Sequence, residues 1–172
     1  MAEFFLGIIL PADFEEEVED FRRRFAAPKT APHITLIPPF NWPGTDLELE
    51  QIISASIQGT SPFVVKARGI GRFGRRVIYI NVEPSEELLS LYEKLESGLE
   101  NQDIAATDQD RSYHPHITLA TRLSPGEFNL YMEELKDYNP SREFLCQQVA
   151  LFKMEVRDRR RRWLIFKQVP LK

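Results

Sequence analysis

The pentapeptide Pro32-His33-Ile34-Thr35-Leu36 returns unchanged, 83 residues later, as Pro115-His116-Ile117-Thr118-Leu119. On a β-strand residues i and i+2 share a face. Each copy therefore sets an imidazole beside a hydroxyl on one side of a strand and sends Ile and Leu to the other side, into core. The elements around the copies repeat too: strand, helix, pentapeptide strand, helix, long strand, Arg-rich turn, strand. Such a pattern predicts an internal duplication, approximately 1–82 and 77–172, with strand 77–82 closing the first pass and opening the second. The expectation is one α+β domain, 1–172, made of two duplicated β-α-β-α-β-β units. These form similar lobes about a pseudo-two-fold axis, with the repeated strands facing a shared groove.

The individual elements follow from local patterns. Residues 4–10 are a continuous apolar run suited to a buried strand. Phe14, Val18, Phe21 and Phe25 fall at helical spacing within 13–26. The first pentapeptide strand, 33–37, is expected to end at Pro38-Pro39. Thr45 and Glu48 have capping-box spacing and open a helix carrying Leu49, Ile52 and Ile53. Strands follow at 63–70 and 77–82. The second pass has a helix at 85–99, a polar loop at 101–112 and a strand at 116–121. Ser124-Pro125-Gly126-Glu127 pairs another capping box with proline at the first helical position. Strands at 143–156 and 163–170 flank an arginine run at 157–162.

The chain has 172 residues, 42% hydrophobic and 28% charged, a composition that supports a sizeable core. A net charge of −4 excludes a uniformly basic surface but leaves room for a local basic patch. The one cysteine, Cys146, excludes an internal disulfide and a Cys-rich zinc site, and it suits the reducing cytoplasm. No apolar run reaches the ~18 residues of a membrane span, and residues 4–10 lack the basic flank of a secretory signal. The expectation is therefore a cytoplasmic protein with neither a membrane span nor a signal peptide.

Two of only three histidines lie in the repeated motif. Polar groups buried on strands are costly unless they find partners, and a ligand held between the lobes would supply them. Two imidazoles and two hydroxyls suit acid–base chemistry on a phosphate ester. A neutral histidine takes a proton from water and a protonated one gives a proton to the leaving oxygen. Free imidazole titrates near pH ~6.5, so both roles are within reach. Threonine hydroxyls can donate to non-bridging phosphate oxygens. His33 and His116 are the catalytic candidates, and Thr35 and Thr118 the phosphate-binding ones, with no cofactor and no metal.

The stretches Pro32-His33-Ile34-Thr35-Leu36-Ile37-Pro38-Pro39-Phe40 and His114-Pro115-His116-Ile117-Thr118-Leu119-Ala120-Thr121-Arg122 resemble the signatures of the two-histidine (2H) phosphoesterase superfamily. Within it they look most like the bacterial 2′-5′ RNA ligase / RNA 2′,3′-cyclic phosphodiesterase family, and the likeness spans nearly the whole chain. The resemblance implies a bilobal fold with antiparallel sheets lining a central cleft. It implies metal-independent hydrolysis of a 2′,3′-cyclic phosphate, on RNA ends or small cyclic nucleotides, to a phosphomonoester, with 2′-5′ ligation as the reverse reaction. It also implies His116 as base and His33 as acid, an order that the near-symmetric motifs do not themselves distinguish. Arg122 stands six residues after His116, where the better-known ligases carry an arginine at five.

Lesser features keep two readings each. Arg122 continues the His116 face and meets either phosphate or solvent. His114 shares that face; lacking a third ligand at suitable spacing, it reads as a neighbour of the site rather than a metal ligand. Tyr113 and Phe40, with Trp42 and Phe152, can stack a base or fill core. The arginines at 72–76 and 157–162 can guide an RNA backbone or sit as solvated hairpin tips. A monomer is expected. The runner-up function is a non-catalytic module that holds a nucleotide or RNA end in the same groove.

Overall fold

The computed structural model describes residues 1–25, 27, 29–102 and 112–172. In chain order the elements are β1 (Ala2–Ile9), α1 (Ala12–Arg24), β2 (His33–Trp42), α2 (Asp46–Ser56), β3 (Phe63–Phe73) and β4 (Val77–Val82), followed by α3 (Glu86–Glu100), β5 (His116–Ala120), α4 (Pro125–Glu134), β6 (Ser141–Cys146), β7 (Gln148–Arg157) and β8 (Arg160–Pro170). The fold is α+β, as expected, with the strands joined in one antiparallel sheet of order β6-β3-β4-β5-β2-β1-β7-β8. Most of the expected polar loop, residues 103–111, lies outside the described residues. Among the described residues no helix is long and apolar enough to cross a membrane.

Both capping boxes form. The Thr45 hydroxyl accepts from the Glu48 amide while the Glu48 carboxylate accepts from the Thr45 amide, and Ser124 and Glu127 do the same at α4, behind Pro125. Each satisfies two amides that would otherwise be orphaned at a helix start.

The sheet order is symmetric about the β5–β2 pair, and the two halves exchange parts. β3, early in the chain, completes the half built on β4 and β5, whereas β7, late in the chain, completes the half built on β1 and β2. Helices cross over as well. The α1 residue Phe14 packs against Phe144 of β6 at 6.2 Å, and Phe25, just past α1, stacks on Tyr131 of α4 at 4.3 Å. Arg142 of β6 bonds Asp13 and Glu17 of α1, each at 3.0 Å. In the other half α2 and α3 pack together, and Lys153 of β7 reaches Asp46 of α2 at 2.6 Å. Neither stretch of chain closes a core without the other. One cluster of buried side chains, including Phe4, Leu6, Ile34, Ile80, Leu91 and Ile117, runs through both halves on the helix-covered face.

Two expectations need correction. β2 does not stop at Pro38-Pro39 but runs on to Trp42. Phe4 pairs with Phe40 and Leu6 with Ile37, so the two prolines together face Phe5 alone. That is a bulge, the one place inside a sheet where prolines without amide protons fit. The strand expected at 143–156 is two strands, broken at Gln147. Its first part pairs with β3 and its second with β1, which have three strands between them in the sheet, a span no single straight strand can reach. The arginine run is also drawn into the ladder. Arg157 pairs with Arg160 across a two-residue turn whose Asp158 and Arg159 both take positive φ, 50° and 63°, as a tight hairpin requires.

Gly7 shows how closely the strands approach beside the motif. It pairs with Thr35 on one side and Ala150 on the other. A Cβ there would lie 2.9 Å from the Ile34 carbonyl oxygen and 3.5 Å from both the His33 ring and the Phe152 ring. Backbone cannot yield as a flexible side chain does, so Gly7→Ala is expected to cost about 1–3 kcal/mol of stability. Denaturant unfolding measures this, and a variant as stable as the parent would contradict the packing described.

Candidate active site

The two pentapeptides meet at the middle of the sheet, where Ile34 of β2 pairs with Ile117 of β5 in antiparallel register. Both isoleucines are fully buried on the helix side. One step to either side of that pair, the register sets His33 beside Thr118 and Thr35 beside His116, all on the opposite face. The result is a square with the imidazoles on one diagonal and the hydroxyls on the other. Diagonal neighbours on a sheet have Cβ atoms roughly 7–8 Å apart, room for a phosphate between two rings.

Each ring is held in the same way. His33 Nδ1 bonds the Ala31 carbonyl at 2.7 Å, and His116 Nδ1 bonds the His114 carbonyl at 2.8 Å. A carbonyl only accepts, so both Nδ1 atoms carry the proton and both Nε2 atoms are left for chemistry. Aromatic rings fix the planes. His33 lies 4.9 Å from Phe5 and 5.3 Å from Phe152; His116 lies 4.9 Å from Phe73 and 5.1 Å from Tyr79.

The square lines a cavity of about 390 Å³, toward the small end of the ~300–1,000 Å³ typical of ligand pockets. Thr30 and Thr121 add hydroxyls, Arg22 and Arg122 add guanidinium groups, and Phe5, Pro32, Pro39 and Trp163 add apolar wall. None of these described lining residues is a carboxylate. Among the described residues no three His, Cys, Asp or Glu side chains cluster to hold a metal ion. An acidic protein has thus placed a cationic, hydroxyl-rich cavity on its two-histidine strands, a lining complementary to an anion.

Several candidates fall in the cavity and others do not. His33, Thr35, His116, Thr118 and Arg122 line it together. Phe40 does not: it is 7% exposed and packs in the main core, 6.4 Å from Phe4. Tyr113 stacks on Tyr92 at 4.3 Å and donates its hydroxyl to the Thr35 carbonyl at 2.8 Å, so it braces the strand from outside the cavity. Trp42 is in core, and Phe152 is buried beneath Phe5 and His33. His114 packs edge-on to Phe73.

Arg22 and Trp163 are not among the sequence candidates. Arg22 is 6% exposed and its Nη1 pairs with Glu19 at 2.5 Å. The sequence does carry a signal for it, since Phe14, Val18 and Arg22 fall at i, i+4 and i+8, making Arg22 the one charge on a buried stripe. Trp163 becomes visible only with the β7–β8 pairing, which sets it opposite Met154.

Surroundings separate two rings that the motifs make alike. Burial pushes the His33 pKa down to about 4, with the nearby charges of Arg22 and His116 adding to the effect and the Ala31 carbonyl opposing it. Burial also lowers His116, with the charge of the His114 ring adding to the effect and the His114 carbonyl opposing it.

Comparison with known proteins gives the family and the fold. The sequence model of the 2′-5′ RNA ligase superfamily matches residues 10–158. The chain belongs to that family of two-histidine phosphoesterases. Among its relatives is a protein of Bacillus pumilus named for the phosphoesterases, 30% identical over 139 residues that cover 76% of this chain and 77% of that one. A Bacillus cytotoxicus protein of similar name is 31% identical over 129 residues, covering 71% and 72%. The fold matches Escherichia coli LigT complexed with 3′-AMP, with a TM-score of 0.73 and 20% identity over 99% of this chain and 98% of LigT. It also matches the TT0787 protein of Thermus thermophilus, with a TM-score of 0.72 and 21% identity over the same shares.

The burial of His33 makes stability depend on pH. The folded His33 value, about 4, lies below the ordinary 6.5, so on acidification the unfolded chain takes up the proton first. Stability from a neutral His33 is present above about 6.5 and is lost as pH falls toward about 4. Between about pH 7 and pH 5 the loss is on the order of 2 kcal/mol. Parallel denaturant titrations of the parent and His33→Gln should show a shallower decline in the variant; equal slopes would mean His33 is not held neutral.

Proposed function

We propose that this chain is a phosphodiesterase that opens 2′,3′-cyclic phosphates, on RNA ends or small cyclic nucleotides, to phosphomonoesters by two-histidine acid–base catalysis. The observation that carries this is the diagonal His/Thr square, with both Nδ1 atoms committed to carbonyls and both Nε2 atoms left for a substrate. A site that only bound an anion would need cations, not two proton-transfer groups in fixed tautomers. Escherichia coli LigT has been crystallised with 3′-AMP, NADP+, ATP and phosphate, which supports a nucleotide phosphate as the occupant here.

In this proposal the phosphate sits between the rings. One Nε2 accepts a proton from water as the oxygen attacks phosphorus. The bond to one ribose oxygen breaks, and the other Nε2 delivers its proton to that oxygen. Thr35 and Thr118 donate to the non-bridging oxygens, and Arg22 and Arg122 supply positive charge as the pentacoordinate state builds negative charge. The more buried His33, beside Arg22, is the ring kept neutral and so acts as acceptor, while His116 is the donor. This reverses the order implied by the resemblance. We read the domain as one unit repeated, acting as a monomer without a cofactor.

The experiment is hydrolysis of a 2′,3′-cyclic nucleotide by the purified protein after chelation with EDTA. Turnover should persist, and His33→Ala and His116→Ala should each lower it by about 10²–10⁴-fold. Thr35→Val or Thr118→Val should cost up to about 3 kcal/mol in the transition state. The dependence of kcat/KM on pH should be bell-shaped, with limbs belonging to the coupled pair. Residual activity of the His33 variant should lack the acidic limb. Tight nucleotide binding with no turnover would leave a binding module; loss to EDTA with restoration by zinc or manganese would favour a metallohydrolase.

A further inference from the structure

β8 closes one end of the sheet and pairs only with β7. Alternate residues along it turn an amide and a carbonyl to the open side, with no described strand beside them. The ladder is regular from the Arg157–Arg160 pair to the Phe152–Ile165 pair. The bulge, lysine and proline that commonly block an edge come only after it, at Phe166, Lys167 and Pro170. Within the regular stretch Arg160, Arg162 and Leu164 share one face of the strand. Arg161, Trp163 and Ile165 share the other, and the sheet curves until Trp163, four strands from β5, lines the same cavity.

This edge is cationic near the turn and apolar beyond it. Residues 159–172 hold six Lys and Arg and no acid, in a chain of net charge −4. Arg161 pairs with Glu3, but among the described residues Arg159, Arg160 and Arg162 make no ion pair. Leu164 and Ile165 are 43% and 42% exposed, one on each face. That placement decides between kinds of partner. A bilayer or a nucleic-acid backbone meets one face of a strand at a time. A strand laid beside β8 offers side chains to both faces and backbone groups to the open edge.

We propose that residues 160–165 are a docking edge for an extended segment of a partner protein, added antiparallel as a ninth strand. Its acidic residues would lie against Arg160, Arg161 and Arg162, and its aliphatic ones against Trp163, Leu164 and Ile165. Every pair in this sheet is already antiparallel, the slightly stronger ladder per residue, so the segment reads aliphatic first and acidic after. The inference does not depend on the phosphodiesterase reading.

The test is calorimetry of the full chain with the blocked peptide acetyl-Val-Ile-Val-Glu-Glu-Glu-amide. It should bind, and Arg160→Glu with Arg162→Glu should weaken it by on the order of ten-fold or more at low salt. The same residues in the order Glu-Val-Glu-Ile-Glu-Val keep the composition and charge but lose the match of blocks, and should bind more weakly. Only every second amide of an added strand faces β8. Methylating the backbone nitrogens of one alternate set should therefore cost about ten-fold or more, and methylating the other set should cost little. This comparison uses the parent chain, so it stands even if the arginine variant fails to fold. Equal binding by the two orders, equal loss from both methylated sets, or full affinity in a folded arginine variant would overturn the proposal. Absence of peptide binding would overturn it too, and oligouridylate or phosphatidylglycerol vesicles held by the same arginines would then name the class of partner instead.

Discussion

The pairing of Ile34 with Ile117 is the constraint on which the rest of the molecule depends. Strand side chains alternate with a period of two, so a one-residue slip of either motif strand would turn its histidine and threonine into the helix-covered core. The two isoleucines are fully buried there, and the same slip would drive that strand's isoleucine out into the cavity. Burial of hydrocarbon on one face therefore fixes the chemistry on the other. A single registered pair suffices because each motif strand is also tied to a neighbour on its far side, β2 to β1 and β5 to β4.

The exchange of elements between halves adds rigidity where the chemistry needs it. β7 braces β1 behind His33 through Phe152, and β3 braces β4 behind His116 through Phe73. Each imidazole is thus backed by a ring from its neighbouring strand and a ring from the strand beyond. The strand beyond arrives by crossing from the other part of the chain, so opening the central groove would strain ladders in both halves.

Much of this is legible from residues. The repeated pentapeptide names the square, and both capping boxes name their helix starts. What stays hidden depends on contacts between distant segments. Phe40 and Tyr113 are reasonable stacking candidates by residue type, but the bulge at Pro38-Pro39 returns Phe40 to the core, and Tyr113 is committed to Tyr92 and the Thr35 carbonyl. The break at Gln147 is invisible because apolar runs, Phe144-Leu145-Cys146 and Val149-Ala150-Leu151-Phe152, lie on both sides of it. Trp163 belongs to the cavity only because the β7–β8 ladder and the sheet's curvature carry it there.

Duplication alone would give two equivalent histidines, and a reaction that must remove one proton and supply another needs two unlike ones. The asymmetry enters from outside the sheet. Helix α1 crosses to the far half, and near its C-terminal end it delivers Arg22, buried and paired with Glu19, to the His33 side of the cavity. A cation there opposes a second positive charge on His33, while the charge that bears on His116 is that of another imidazole, His114 on its own strand. Without an anion both rings are driven toward neutrality by burial. A phosphate between them would lower the cost of charging either, and the ring farther from Arg22 has less repulsion to overcome. One helix residue thus makes unlike the surroundings of two copies of a motif, the difference that the proposed division of acid and base requires.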